Sequence, residues 1–419
     1  MMRNGWPNWR LFFVGWRCSS KAVNARLSRR GSRDGEGPGA RAAPGPSAFR
    51  PPPGGIRFSL RAAGRAIEAD PVARGATRSA WTFPASRVDL LTMIVVTGGT
   101  GFIGSNLVGA LAGSGERVSV CDTLGTGEKW RNIAKHEIDE LVDPSALNEF
   151  LTRRAEEISF VYHLGAVSAT TETNADLIAD SNFRLSQQIW RWCAAHDIPL
   201  VYASSAATYG DGTQGFVDSD DRGSLARLRP LNAYGWSKLA FDRWVAREAE
   251  EDRPTPPSWV GLKFFNVYGP NEYHKGDMRS VVTKAYPGAA SGDGVTLFRS
   301  HHPDFEDGGQ MRDFVYVGDC IDVMRWIREH RPASGIYNVG TGRAQTWLEL
   351  MGALYTAVGK DLSVTWVDTP PNLREKYQYF TQADMTKLRE AGYQRPFASV
   401  QEGVTDYVAN FLSTQDPYR

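Results

Sequence analysis

Tyr234 and Lys238 stand four residues apart in the run Tyr234-Gly235-Trp236-Ser237-Lys238, a spacing that puts both side chains on one face of a helix. An ammonium close to a phenol favours the phenolate and draws the tyrosine down from its ordinary value of about 10. A tyrosine tuned in this way takes the proton of an alcohol as hydride leaves the same carbon. Ser204 and Ser205 follow the strand expected at Leu200–Ala203, and a hydroxyl there can hydrogen-bond the reacting oxygen. The context Ala203-Ser204-Ser205-Ala206-Ala207 has no Gly-x-Ser-x-Gly elbow, so these serines do not read as hydrolase nucleophiles.

Such chemistry requires a hydride acceptor, and the run Thr97-Gly98-Gly99-Thr100-Gly101-Phe102-Ile103-Gly104 suits one. Gly98 permits a tight turn, Gly101 lets backbone approach a pyrophosphate, and Gly104 lets a helix pack closely on a strand. The helix N-terminus that follows presents N–H groups to phosphate. Asp122 lies 18 residues past Gly104, at the end of the next expected strand, where a carboxylate meets a ribose hydroxyl. A dinucleotide site is the expectation.

The elements that must hold these residues alternate. Strands are expected at Ile94–Thr97, Arg117–Cys121, Ser159–Leu164, Leu200–Ala203 and Val260–Phe265, with helices from Phe102 to about Leu111, at Ala175–Ala195 and at Tyr234–Arg247. This order predicts an α/β fold, a doubly wound parallel Rossmann sheet. Beyond Pro270 the pattern is less regular: helices over 278–286, 318–330 and 346–358, and strands over 296–299, 336–339 and 363–367. A smaller mixed C-terminal substrate lobe accounts for it. The expected division is 93–270 for the dinucleotide-binding domain and 271–419 mainly for the lobe, with some return to the first domain.

Composition sorts the rest. The first 92 residues hold 16 Lys and Arg against 5 Asp and Glu, the remainder 32 against 42. The segment is rich in Gly, Pro and Arg, as in Pro51-Pro52-Pro53-Gly54-Gly55, and has no route to a packed core. It reads as a disordered extension or as sequence upstream of a natural start at Met93; a transit peptide and a basic arm are the alternatives. The acidic remainder is no footprint for nucleic acid, and no apolar run has the length of a membrane span. Four cysteines without CxxC spacing suit reduced thiols in a cytoplasm. His301-His302 in a polar loop reads as solvated and not as a metal site. Trp190 and Trp192 read as packing, and Asp384 through Arg389 as a charged, capped helix.

Taken together, the glycine motif, the strand-end Ser-Ser-Ala and Tyr-x-x-x-Lys resemble the extended short-chain dehydrogenase/reductase superfamily over about 93–415. Phe264-Phe265-Asn266-Val267-Tyr268-Gly269-Pro270 followed by His274-Lys275-Gly276, together with Arg312-Asp313-Phe314-Val315-Tyr316-Val317-Gly318-Asp319, is similar to the ADP-glyceromanno-heptose 6-epimerase family. That resemblance implies a nucleotide-activated heptose as substrate, retained NADP with NAD as the alternative, an assembly of identical chains, and a role in lipopolysaccharide core synthesis. It implies catalytic roles for Tyr234, Lys238 and Ser205, with Lys275 as a second base. On the cofactor side it implies Gly98, Gly101, Phe102, Ile103 and Gly104. Asp122, Thr123 and Lys129 follow, then Leu164, Gly165, Ala166, Val167 and Ser168, with Ser181, Val267, Lys238 and Lys275. On the substrate side it implies Ser205, Asn266, Asp277, Lys284, Phe298, Arg299, Ser300, Arg312 and Tyr377. The chain departs from that family's usual residues at Leu164, Ser181, Asp277 and Lys284, and its stretch Ser300–Gln310 is longer.

Overall fold

The computed structural model describes residues 92–374 and 378–419. The basic N-terminal segment and Tyr377 lie outside the described residues.

Six parallel strands build most of the main sheet: β1 (Met93–Thr97), β2 (Arg117–Cys121), β3 (Leu141–Val142), β4 (Ile158–His163), β5 (Leu200–Ser205) and β6 (Trp259–Phe264). The strand Gly335–Val339 completes it, in the order Gly335–Val339, β6, β5, β4, β1, β2, β3. Every residue of β1 is buried, as a β-branched strand covered on both faces should be. β1 pairs with β2 on one side and β4 on the other, Val95 facing Ser119 and Val161. The order in which strands are added reverses there, from β1–β2–β3 on one side to β4–β5–β6 on the other, and such a switch point opens a crevice at the carboxyl ends of the strands. The expected fold class is the observed one.

A first hydrophobic cluster surrounds this sheet, and a second, holding Val282, Leu297, Phe314, Met351, Leu354 and Tyr407, fills the C-terminal lobe. Helix Val317–His330 leaves the lobe to pack on helix Phe102–Ala112 of the first domain. Trp190 is fully buried against the rings of Phe241, Trp244 and Trp259, while Trp192 stacks on His196. The short helix Thr386–Glu390 has Asp384 accepting from its first amide, but Leu388 is buried, so one face packs inward.

Two expected helices differ in a way that matters. The run Ala175–Ala195 is interrupted by a π-helical stretch, Ala179–Arg184. Its buried Asn182 accepts from the Val167 N–H (2.8 Å) and donates to the Val167 carbonyl (2.9 Å) and Ser237 Oγ (3.0 Å). The wider turn aims that amide at the sheet edge. The helix expected over 278–286 instead spans Val281–Ser291, after a 3-10 turn Tyr273–Met278. Gly276 at φ 53° breaks the helical path, and the Ser280 side chain then caps the new helix.

Candidate active site

The glycine turn is shaped by contact. Gly98 has φ +69°, and a Cβ there would lie 2.5 Å from the Gly165 nitrogen. A Cβ on Gly104 would overlap the Gly98 carbonyl. Gly101 begins helix Phe102–Ala112 without a side-chain cap, leaving its first N–H groups for a ligand. Thr97 Oγ1 supports the turn from behind, bonded to His163 Nδ1 (2.7 Å) and accepting from the Gly165 N–H (3.2 Å).

At the β2 end, Asp122 is fully engaged. Its Oδ2 accepts from the Thr100 N–H (3.0 Å) and hydroxyl (2.6 Å), while its Oδ1 accepts from the Thr123 N–H (2.8 Å) and Lys129 Nζ (2.7 Å). These cradle residues fit a dinucleotide, with Gly turn, open helix end and carboxylate in the places its parts require.

Helix Ala233–Glu250 carries Tyr234 and Lys238, started by Asn232, whose side chain accepts from the Gly235 N–H (2.8 Å). A Cβ at Gly235 would stand 2.7 Å from the Ala207 carbonyl. Its absence lets the helix settle against the turn after β5, so that the Tyr234 phenol hydrogen-bonds Ser205. Lys238 Nζ donates to the Ala203 carbonyl (2.8 Å) and not to the phenol. Burial therefore dominates at Tyr234 and pushes its phenol up; the Ser205 hydrogen bond lowers it and nearby Asp242 raises it. The downward pull expected from Lys238 does not prevail. Burial brings Lys238 itself down to about 8, opposed by Asp242.

Tyr234, Lys238 and Ser205 share one cavity of about 660 Å³ with the glycine turn, Asp122, Lys129, Leu164–Ser168, Asn266, Val267 and Lys275. Lys275 reaches it from the turn after Pro270, its ammonium 5.3 Å from the Phe102 ring centroid. Burial lowers the Lys275 pKa and Glu272 raises it. The cavity thus joins a dinucleotide cradle to a phenol, a hydroxyl and two partly desolvated ammonium groups, a set suited to moving protons at an alcohol carbon beside a hydride carrier.

The profile of the NAD dependent epimerase/dehydratase family matches residues 94–340. The chain belongs to that family. It is 46% identical over 329 residues to the ADP-L-glycero-D-manno-heptose-6-epimerase of Nitratidesulfovibrio vulgaris (strain DP4), across 78% of this chain and 100% of that protein. The crystal structure of the Helicobacter pylori ADP-L-glycero-D-manno-heptose-6-epimerase superposes with a TM-score of 0.61 at 29% identity, covering 77% of this chain and 96% of that one. Thermus thermophilus UDP-glucose 4-epimerase in complex with NAD superposes with a TM-score of 0.58 at 27% identity, over 75% and 97% of the two chains. The protein is a nucleotide-sugar epimerase with a nicotinamide cofactor, as the motif resemblance implied.

Several expected residues stand elsewhere in this epimerase. Thr123 and Ser181 do not line the cavity; Thr123 serves through its backbone, and beside Ser181 it is Asn182 that turns inward. Among the described residues of the expected substrate set, Ser205 and Asn266 alone line it. Lys284 is exposed because Val282, Thr283 and Ala289 take the inward face of its helix, and its Nζ contacts the exposed Asp277 only through the backbone carbonyl (3.4 Å). Arg299 pairs with Asp307 (2.7 Å), and the Ser300 N–H donates to the same carboxylate (2.8 Å). Phe298 closes a lobe strand away from the cavity. Arg312 is tied to the Met311 and Gln378 carbonyls and lies 5.9 Å from the ring of Trp347, which lines the cavity.

Sequence reading missed Met278, Arg279, Trp347 and Leu350 on the wall, and a buried pair behind it. Asp242 and Lys263 are both fully buried, 2.9 Å apart. Asp242 also accepts from Ser204 Oγ (2.7 Å), and Lys263 donates to Thr208 Oγ1 (2.6 Å), anchoring the strand end that bears Ser205. The signals were present. Asp242 continues the Tyr234–Lys238 stripe by four residues, and Lys263 is a charge in an otherwise apolar strand, which demands a partner.

Lys238 carries its charge below about pH 8 and loses it as the pH rises past that value. If that charge assists Tyr234, kcat/KM is expected to fall on the alkaline side with a midpoint near this value. A pH–rate profile checks it; a rate flat well beyond that midpoint would count against the role.

Proposed function

We propose that this epimerase interconverts ADP-D-glycero-D-manno-heptose and ADP-L-glycero-D-manno-heptose by transient oxidation at C6 of the heptose, with NADP retained through the cycle. The observation that carries the reading is the arrival of Tyr234, Ser205 and Lys275 on the wall of the cavity that holds the dinucleotide cradle. The names of the N. vulgaris and H. pylori relatives supply the sugar. A nicotinamide held by the glycine turn, Asp122 and Lys129 would supply the hydride acceptor and donor for the alcohol carbon. Tyr234 holds and moves the hydroxyl proton of one epimer, with Ser205 orienting the oxygen and Lys238 biasing the phenol. Lys275 handles the proton of the other epimer, and Asn266 orients the sugar. The enzyme acts in the cytoplasm as an assembly of identical chains, without nucleic acid or a membrane.

The test is to incubate the protein with one ADP-heptose epimer in deuterated water and follow it by NMR. The other epimer should appear without deuterium at C6, because the hydrogen removed is the one returned. No conversion of ADP-heptose, with turnover of another nucleotide sugar, would overturn the substrate. Deuterium at C6 would overturn the mechanism.

NADP is favoured over NAD by the state of Asp122. A free carboxylate there repels a 2′-phosphate, but this one is neutralised by Lys129 and occupied by Thr100. Lys129 is then placed to receive the phosphate. Lys129→Ala is expected to weaken NADP binding roughly 10- to 100-fold, the scale of one hydrogen bond to a charged group, and to leave NAD binding nearly unchanged. Titration of both cofactors decides. Tighter NAD than NADP binding, indifferent to the substitution, would reverse the assignment.

A further inference from the structure

The residues Asp416–Arg419 are far along the chain from the cavity and do not line it. They nonetheless grip the two segments that present Lys129 and Lys275. On the Lys129 side, Lys135 Nζ donates to the Tyr418 carbonyl (2.6 Å) and pairs with Asp416 (3.0 Å), and the Arg131 guanidinium lies 4.6 Å from the Tyr418 ring centroid. On the Lys275 side, the Tyr273 hydroxyl donates to the Pro417 carbonyl (2.8 Å), its ring meets Tyr418 edge-on at 5.2 Å, and the Arg419 N–H donates to Asn271 Oδ1 (3.0 Å). Tyr418, the centre of these contacts, is buried.

Asn271 is the sensitive point. It is fully buried with φ at 71°, a left-handed conformation that asparagine tolerates but that its surroundings must hold. Besides Arg419, its side chain donates to Ser105 Oγ (3.0 Å) and the Asn132 carbonyl (3.3 Å). Asn132 in turn lies within hydrogen-bonding distance of the Thr100 carbonyl (2.9 Å), the Asn271 carbonyl (3.1 Å) and His274 Nδ1 (3.1 Å). One polar knot therefore joins the glycine turn, the 3-10 helix Glu128–Asn132 and the turn that bears Lys275, and residues 416–419 close over its outer side.

We propose that Asp416–Arg419 is a positioning strap that, through Tyr418 and Arg419, sets the Lys275 turn and the Lys129 helix against the dinucleotide cradle. The inference rests on the roles given to Lys275 and Lys129 above. The strap also reaches the cradle's own helix, where the Arg419 guanidinium donates to Asn106 Oδ1 (3.4 Å). Because these contacts all lie on the cofactor side of the cavity, its loss should register on cofactor binding and turnover but not on sugar recognition.

The test uses the full chain with Tyr418→Ala and Tyr418→Phe, reading cofactor Kd, kcat, KM for the nucleotide sugar, Tm and amide exchange over residues 271–278. Tyr418→Ala removes one ring pair and one cation–π contact, so cofactor Kd should rise and kcat fall, each about 10-fold. KM for the sugar should hold, and exchange at the Lys275 amide should quicken. Tyr418→Phe keeps the ring and should restore both values. A Tyr418→Ala protein with lowered Tm but ordinary Kd and kcat would overturn the strap and leave the segment a packing element. Lys275→Met is run alongside to separate the two claims. Full turnover by Lys275→Met, with cofactor binding still weakened by Tyr418→Ala, would overturn the two-base reading while supporting the strap through Lys129.

Discussion

Tyr234→Phe is expected to lower turnover by about 10²–10⁴-fold, the usual worth of positioned acid–base help, while the dinucleotide stays bound. The substitution preserves the ring and removes only the hydroxyl that Ser205 meets. In the proposed reading the cofactor is held by the glycine turn, Asp122 and Lys129, which lie on other elements, so its affinity should change little. Burial raises the phenol's pKa in the free protein, which favours giving its proton to an alkoxide and makes removal of that proton the harder direction. Steady-state rates and a cofactor titration on the same protein check this. Near-normal turnover by Tyr234→Phe would mean that another group moves the proton and that the central assignment is mistaken.

The second large effect is expected from Lys275→Met. Inverting a carbon by oxidation and re-reduction brings the carbonyl to the hydride carrier by each face in turn, so the oxygens of the two epimers occupy different places. One tyrosine fixed on its helix cannot serve both well. Lys275 enters the same cavity from a separate segment, partly desolvated near the Phe102 ring, and burial lowers its pKa, which eases release of its proton. Methionine keeps the length and loses the ionisable group. Epimerisation should fall by a factor comparable to that for Tyr234→Phe, with cofactor retained. The double substitution should lose little more than either single one, since both act in one cycle. Each epimer assayed alone sharpens the test: full epimerase activity in Lys275→Met would return this lysine to a structural or phosphate-pairing role.

Much of this protein was legible in local spacing. The alternation of short β-branched runs with helices determined the parallel sheet, because a continuous apolar run and a helical period of 3.6 are properties of neighbouring residues. The glycine turn was readable for the same reason: Gly98 and Gly104 answer to contacts within a few residues or with the adjacent strand. Tyr234 and Lys238 were bound to share a face once their helix formed. What only the tertiary structure decided is where each chemical group is spent. Lys238 goes to the Ala203 carbonyl, 35 residues away, and not to the neighbouring phenol. Asn182 rather than Ser181 faces Val167, because a π turn rotates the helix locally. Arg299 and Lys284 stay off the cavity, since their own strand and helix turn other residues inward. Asn132 and Asn271 meet across 139 residues, and no period in the sequence reports such a meeting. Hydrogen bonds of this kind depend on which faces of distant elements are pressed together, and that is set by burial of the two cores as a whole and not by any stretch of the chain alone.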